Sequence, residues 1–141
     1  MKNKALTITL VTLVALTLVG IVIVVLLMQM NKGGEAAEPT IDEILEQSVD
    51  IEEITTNLAD HNFIRIELKI QTDNKKAAEE LEKRDFQVRN IVIQELSEMT
   101  SEDFEGKAGK KAFEDSIRSQ INPLMQKGEV TEVYIVSYVI Q

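Results

Sequence analysis

The first thirty residues constrain the rest of the chain most, because Ala5–Met30 contains no charged side chain and is dominated by Leu, Val, Ile and Thr. At about 1.5 Å of rise per residue, a helix of this length runs roughly 39 Å, and the hydrocarbon core of a bilayer is about 30 Å thick. Only a helix satisfies the backbone polar groups of a single span. We therefore predict a transmembrane helix over residues 5–30, preceded by a short cytoplasmic segment of residues 1–4.

The length and the flanks of this span favour an uncleaved anchor over a secretory signal peptide. Signal peptides have an apolar region of about 7–15 residues followed by small residues, whereas bulky side chains continue here to Met30. Lys2 and Lys4 precede the span, and only Lys32 follows it closely. Because positive charge stays cytoplasmic, we expect the N-terminus on the cytoplasmic side of the cell membrane and the C-terminal part on the outer side.

The part of the chain after the span is strongly acidic. Residues 31–141 hold all 24 acidic residues and, without Lys2 and Lys4, 13 of the 15 basic ones, so their formal charge is 13 − 24 = −11. Such a surface disfavours nucleic acid and anionic lipid headgroups as partners. The acidic residues are densest between Glu35 and Glu53, which indicates either a solvated stalk or a docking strip for a basic partner.

Residues 31–48 are predicted to form this acidic linker, with a short stalk helix near its end. Thr40 followed by Glu43 has the spacing of a capping box, which marks a helix start. An extracytoplasmic α+β domain is then predicted over residues 49–141.

Two strands open the domain. Phe63–Thr72 alternates strictly between apolar and polar residues, which is typical of an antiparallel strand with one solvated face. Val49–Leu58 predicts the strand before it, and the slip in its alternation at Glu52-Glu53 indicates a bulge. The polar residues Ala59–Asn62 have the length of a hairpin turn.

Helical periodicity then predicts two helices. The first extends over Lys75–Met99, although the charged pair Arg84-Asp85 interrupts its apolar stripe. The second runs over about Lys110–Leu124. Pro123 cannot donate a backbone hydrogen bond, so it kinks or ends this helix near Ile121.

The last strand, Val130–Gln141, is apolar on both faces. Simple alternation puts Val133, Ile135 and Val139 on one face, and it puts these residues on the other: Tyr134, Val136, Tyr138 and Ile140. This pattern indicates a central strand, or a strand whose outer face meets another subunit. The expected architecture is an N-terminal transmembrane helix, a stalk helix and a small antiparallel sheet packed with two helices in ββααβ order.

Residues suited to catalysis are sparse. His61 is the single histidine and no cysteine is present, so metal sites built on His or Cys clusters are excluded. Asp60 beside His61 forms part of a catalytic dyad or, in the alternative that we favour, lies with it in a surface turn. The stretch Gly106–Lys111 has neither the spacing nor the Ser or Thr of a phosphate loop. We expect no enzyme activity, cofactor or metal.

The order of these elements resembles the flagellar basal-body-associated FliL family. The similarity is carried by Lys75–Arg84, Arg89, Ile91-Val92-Ile93, Leu96-Ser97, Thr100–Phe104, Gly106, Gly109, Ile121-Asn122, Gly128-Glu129-Val130, Val133-Tyr134 and Val139-Ile140-Gln141. The chain departs from the family pattern at Asp85-Phe86, Asn90 and Pro123, which bears on the ends of the helices.

This resemblance implies a single-pass membrane protein whose outer domain is similar to the stomatin-like fold. It also implies a non-enzymatic accessory of the flagellar motor that associates with the basal body and the stator proteins MotA and MotB and forms a homo-oligomeric ring. Its expected role is in torque generation, swimming or swarming, and chemotaxis. The interaction surface is expected on Tyr134, Val136, Tyr138, Lys75, Lys76, Lys83 and Arg84.

Two other functions stay open at this point. One is a general stomatin-like membrane scaffold without a motor role. The other is an envelope ligand sensor or tethered hydrolase that uses His61 and Asp60, which requires His61 to lie inside a pocket.

Overall fold

The computed structural model describes residues 2–32 and 37–141, which form two separate units divided between Pro39 and Thr40. In the first unit, helix α1 spans Lys2–Lys32. Its stretch Asn3–Gln29 has 27 residues and contains an 18-residue window with a mean hydropathy of 3.2, so it is long and apolar enough to cross a membrane. The helix continues beyond the predicted residues 5–30, and the predicted linker residues 33–36 lie outside the described part of the chain.

The threonines of α1 have their hydroxyl groups satisfied within the helix. The hydroxyls of Thr9, Thr12 and Thr17 each donate to the backbone carbonyl four residues earlier, at 2.8–3.0 Å. A hydrocarbon environment offers no other hydrogen-bond partner. These polar residues are therefore compatible with a membrane span.

The second unit begins with the stalk helix α2, which spans Ile41–Glu46. The Thr40 hydroxyl accepts a hydrogen bond from the Glu43 N–H at 3.3 Å, and the Glu43 carboxylate accepts one from the Thr40 N–H at 2.8 Å. This reciprocal pair is the predicted capping box. The predicted helix start at Thr40 is confirmed.

Three antiparallel strands follow in the order β1-β2-β3, with bounds Ser48–Asn57 for β1, Phe63–Thr72 for β2 and Val130–Ile140 for β3. The bounds of β2 are those that its alternation predicts. The register between β1 and β2 shifts between Ile51 and Ile54, so the bulge predicted at Glu52-Glu53 is confirmed.

Helices α3 (Lys75–Lys83), α4 (Asp85–Glu98) and α5 (Gly106–Ile121) cover the inner face of the sheet. The side chains of β2 that face these helices are almost fully buried. The core they share with the neighbouring strands and helices consists of Val49, Ile51, Ile54, Leu58, Ile64, Ile66, Leu68, Ile70, Ala78, Leu81, Val88, Val92, Leu96, Phe104, Phe113, Ile117, Ile121, Val130 and Val133. The domain is thus an α+β fold with one covered sheet face.

The helix predicted over Lys75–Met99 is two helices, so three helices stand between β2 and β3 where ββααβ order expects two. Arg84 separates them, because its backbone at φ −95° and ψ 11° leaves helical geometry. The break lets α4 turn its own stripe of Val88, Val92 and Leu96 into the core. Phe86, which the sequence places off the stripe, is exposed.

Helix α5 starts four residues earlier than predicted and ends at Ile121, where Pro123 was expected to end it. The early start depends on Gly109, which lies against the backbone carbonyl of Asp103 so closely that a Cβ atom there overlaps it. A larger residue would separate the first turn of α5 from the preceding loop.

One of the two alternatives predicted for β3, a central strand, is wrong, because β2 is central and β3 lies at an edge of the sheet. The predicted division of its side chains between two faces is also wrong. The β2–β3 register shifts between Glu67 and Leu68, so the alternation of β3 changes phase near Val136. Tyr138 and Ile140 consequently pair with Ile66 and Ile64 of the buried row, and Val139 pairs with Arg65 on the outer face.

We expect Gly109→Ala to lower the free energy of unfolding of the domain by an amount on the order of 1–3 kcal/mol, because the added methyl overlaps a backbone carbonyl that cannot move alone. Urea denaturation of residues 40–141 measures this loss. Ala108→Ser, on the exposed side of the same turn, is the control. An unchanged midpoint for the Gly109 variant contradicts the close approach.

Candidate interaction surfaces

The residues predicted for interaction lie on two elements that have different neighbours. Lys75, Lys76, Lys83 and Arg84 belong to α3 and its C-terminal end, which packs on β1 and β2. Tyr134, Val136 and Tyr138 belong to β3, which packs against β2 and α5. The structure therefore does not combine them into one site.

On α3, the three lysines and the arginine differ in their surroundings. Lys75, Lys76 and Lys83 are exposed. The Arg84 guanidinium instead donates to Glu80 Oε1 at 2.8 and 2.9 Å and to Gln87 Oε1 at 2.8 Å. Arg84 thus stabilises the junction between α3 and α4, and the exposed positive charge of this surface comes from the lysines.

Glu80 also holds the loop that precedes β3. Its carboxylate accepts backbone hydrogen bonds from Gln126 at 3.0 Å and from Lys127 at 2.7 Å. Burial, the largest single effect, raises the pKa of Glu80, but the hydrogen bonds from Gln126, Arg84 and Lys127 and the charge of Arg84 together hold this pKa below its ordinary value. The ionised carboxylate is the form that the fold requires.

The free edge of β3 is covered over its first half by α5. The Ile135 N–H donates to Glu114 Oε1 at 3.2 Å, and the Arg118 guanidinium donates to the Thr131 carbonyl at 3.2 Å. Side chains of α5 thus take the place of a neighbouring strand along this half. The second half of β3, Val136–Ile140, extends beyond these contacts.

An open groove lies beside the second half of β3 and has a volume of about 470 Å³. Tyr138, Ile140 and the buried Phe104 contribute its apolar lining. The rest of the lining is polar or small: Ser101, Glu105, Gly106 and Lys110. The rings of Phe104 and Tyr138 have centroids 6.0 Å apart. We call this open groove the Phe104 groove.

Lys110 of α5 lines the Phe104 groove, and Lys107 and Lys111 line the depression next to it. The Lys110 ammonium lies 5.0 Å from the centre of the Tyr138 ring and donates to the Phe104 carbonyl at 3.0 Å. Lys107 is exposed. The ammonium of Lys111 is 3.2 Å from the Asp115 carboxylate, and the hydrogen bond between them raises the pKa of Lys111.

The turn that contains Asp60 and His61 is structural in its contacts. Asp60 accepts hydrogen bonds from Ser101 and Asn62, and the bonds from Ser101 contribute most to holding the pKa of Asp60 below its ordinary value. His61 is exposed and has a positive φ of 69°. The Asp60 carboxylate thus fastens the hairpin to the loop after α4, and His61 does not lie inside a pocket.

The stalk helix α2 exposes two large apolar side chains. Ile41 and Leu45 lie four residues apart, on one side of the helix, and are 67% and 52% exposed. The sequence places them on a common face but gives no sign that the face is left uncovered. Asp42, Glu43 and Glu46 are exposed around them.

Comparisons with known proteins give one family. The family model described as "Flagellar basal body-associated protein FliL" matches residues 48–141. The flagellar protein FliL of Bacillus subtilis (strain 168) is 46% identical over 113 residues, which are 77% of this chain and 81% of that protein. The flagellar protein FliL of Aquifex aeolicus (strain VF5) is 27% identical over 88 residues, 60% of this chain and 55% of that protein.

We expect Glu80→Gln to lower the free energy of unfolding near neutral pH, because the neutral amide binds the Gln126 and Lys127 N–H groups and Arg84 less strongly. Since the pKa of Glu80 is lowered by folding, its stabilisation is complete above the pKa of the unfolded chain and is lost as pH falls through the folded-state pKa. The difference from wild type should therefore shrink at acidic pH.

Urea titrations of wild type and variant at neutral and acidic pH measure this difference. Glu79→Gln changes an exposed neighbour on the same helix and serves as the control. A loss of the same size in both variants, or one that does not depend on pH, contradicts the role of the Glu80 carboxylate.

Proposed function

The chain belongs to the FliL family, and from this premise we propose that it is a non-enzymatic, membrane-anchored accessory of the flagellar motor that acts on the stator proteins MotA and MotB. The observation that carries this proposal is the union, in one chain, of a FliL domain with an apolar helix of spanning length. In this function the chain associates with the basal body and supports torque generation, swimming or swarming, and chemotaxis.

Anchoring in the cell membrane is the first part of this function. The apolar helix α1 confines the domain to the plane in which membrane-embedded stator units lie. Tethering of this kind raises the effective concentration of two partners, so that weak contacts outside the membrane suffice. Lys2 and Lys4 before the span favour a cytoplasmic N-terminus and an extracytoplasmic domain.

Contact with the stator is the second part. Lys75, Lys76 and Lys83 are exposed on α3, within a domain whose net charge is strongly negative. The acidic surface of the domain repels acidic partners in general, so α3, where three exposed lysines outnumber the exposed glutamates Glu79 and Glu82, is suited to select an acidic segment of the partner. We assign the stator contact to this α3 surface.

Self-association into a ring is the third part. Tyr134, Val136 and Val139 are exposed large side chains at 44%, 60% and 46%, on or beside the edge strand β3. The second half of this edge strand, Val136–Ile140, has apolar side chains and no charged residue, and such an edge is a surface on which proteins pair. A ring of copies gives several anchored domains around one stator unit. The similarity of the domain to the stomatin-like fold stays a prediction.

The orientation of the chain is directly testable, because it has no native cysteine. We expect a membrane-impermeant maleimide to label a Glu98→Cys variant in intact cells, since Glu98 is exposed on the domain. A Lys4→Cys variant should react only after the membrane is permeabilised. The reverse labelling pattern would place the domain in the cytoplasm and remove the proposed function.

Charge reversal on α3 tests the stator contact. We expect the triple variant Lys75→Glu, Lys76→Glu, Lys83→Glu to reduce co-isolation of stator proteins by roughly threefold or more and to reduce swimming under viscous load. The matched control replaces the same lysines by arginine, which keeps the charge. The chain should be present at wild-type level in both.

Deletion of the chain gives the motility defect against which the defect of the charge-reversal variant is compared. Motility that is unchanged by deletion, both in free swimming and under load, would contradict a motor role altogether. A reversal variant that behaves like the arginine control would leave the motor role in place and remove the α3 surface from it.

A further inference from the structure

Two of the exposed apolar surfaces of the domain differ in the charges around them. The first is the Phe104 groove, which is lined by Lys110 and Glu105 and adjoins a depression lined by Lys107 and Lys111. The second is the face of α2 that exposes Ile41 and Leu45. Apolar side chains of this size at an exposed position typically mark a contact site.

The charges around each surface favour the other surface as its partner. Three carboxylates, Asp42, Glu43 and Glu46, occur within α2, which has no basic residue in its last turn. Three lysines lie within the first turns of α5 at the Phe104 groove. Complementary charges around an apolar contact give specificity and orientation, while the apolar contact supplies most of the affinity.

The two surfaces of one chain cannot meet. The Gln47 carbonyl, directly after α2, accepts hydrogen bonds of 2.8 Å from the Thr72 N–H and hydroxyl, which fixes α2 at the end of the sheet where β2 finishes. Ile140 of the groove pairs with Ile64, at the start of β2. The ten residues of β2 separate these ends by roughly 30 Å. Only the groove of another copy is within reach of α2.

We propose that α2 of one copy docks in the Phe104 groove of the next copy, with Ile41 and Leu45 against Tyr138 and Ile140, above the buried ring of Phe104. The carboxylates of α2 then lie near the lysines at the start of α5. This inference rests on the self-association contained in the proposed function and adds the contact between α2 and the Phe104 groove to the β3 surface assigned there.

The contact is heterologous, because it joins two different surfaces. A heterologous contact repeats from copy to copy, and in a membrane plane it closes into a ring when the rotation between neighbours permits. The stalk is thereby a connecting element between domains. An anionic bilayer is a poorer partner for α2, since its carboxylates are repelled by acidic headgroups.

Disulfide crosslinking in cells tests the contact with the full chain. We expect a Leu45→Cys, Lys107→Cys double variant, mildly oxidised in the membrane, to give a ladder of dimers, trimers and higher species, because each copy uses both surfaces. The control is Leu45→Cys, Glu98→Cys, in which the second cysteine lies on α4. A yield of higher species roughly tenfold above the control supports the contact, since a disulfide requires Cα atoms within about 7 Å.

Charge exchange provides a second measurement that does not depend on cysteine chemistry. Glu46→Lys or Lys107→Glu alone should lower the yield of co-isolated, differently tagged copies by roughly threefold, and the double exchange should restore it. Lys107 serves here because Lys111 is paired with Asp115 and Lys110 with backbone carbonyls.

The outcomes separate this inference from the proposed function. If differently tagged copies co-isolate but the Leu45–Lys107 ladder is no stronger than the control, the docking is wrong and self-association stands. Dimers alone, without higher species, overturn the head-to-tail arrangement. If the copies do not co-isolate at all, both the docking and the proposed ring are wrong. A photocrosslinker at Leu45 that captures lipid instead of a second copy also overturns the docking.

Discussion

The inner face of β2 is the constraint on which the domain depends. Ile64, Ile66, Leu68 and Ile70 are almost fully buried, and every other core element packs against this row or beside it. Because the sheet has three strands and one covered face, the outer side of β2 can stay charged, with Arg65 3.3 Å from Glu53 across the strand pair. Because only one face is covered, the helices form a single layer. The unpaired backbone groups at the two sheet edges must therefore be covered by other contacts.

The two halves of the β3 edge show how this domain treats its edges. The first half receives Glu114 and Arg118 from α5, which occupy an N–H and a carbonyl group that a neighbouring strand would otherwise use. The second half, Val136–Ile140, has no charged residue and no proline, the features that usually prevent strand or surface pairing. The same helix that blocks one half also lines a groove at the other with its first turn. The fold therefore covers the edge at the first half of β3 and leaves Val136–Val139 exposed.

The sequence predicts those features that depend on neighbouring residues. The bounds of β2, its buried row, the bulge in β1, the capping box at Thr40 and the end of α5 before Pro123 all follow from local patterns. The phase change at Val136 does not, because strict alternation and a bulge are equally compatible with an apolar strand. The early start of α5 was missed for a similar reason, since the close packing of Gly109 involves the Asp103 carbonyl and is invisible to helix propensity.

The candidate surfaces illustrate the same division. Sequence alone places the lysines of α3 on the surface, and the structure adds that Arg84 is held by Glu80 and Gln87. The sequence does not identify Phe104 or Ile140 as groove residues, because they come together only through the fold.

Net charge is a poor guide to the partners of this domain. Although the region after the span has a formal charge of −11 (13 − 24), lysines are frequent on α3 and at the start of α5, where they alternate with or follow glutamates, and its densest carboxylates lie in and around the stalk. A segregated distribution lets like-charged copies repel one another in general and attract in one orientation. The proposed contact between membrane-held copies, a six-residue helix in a groove, needs only modest affinity, because tethering replaces much of the entropy cost of association.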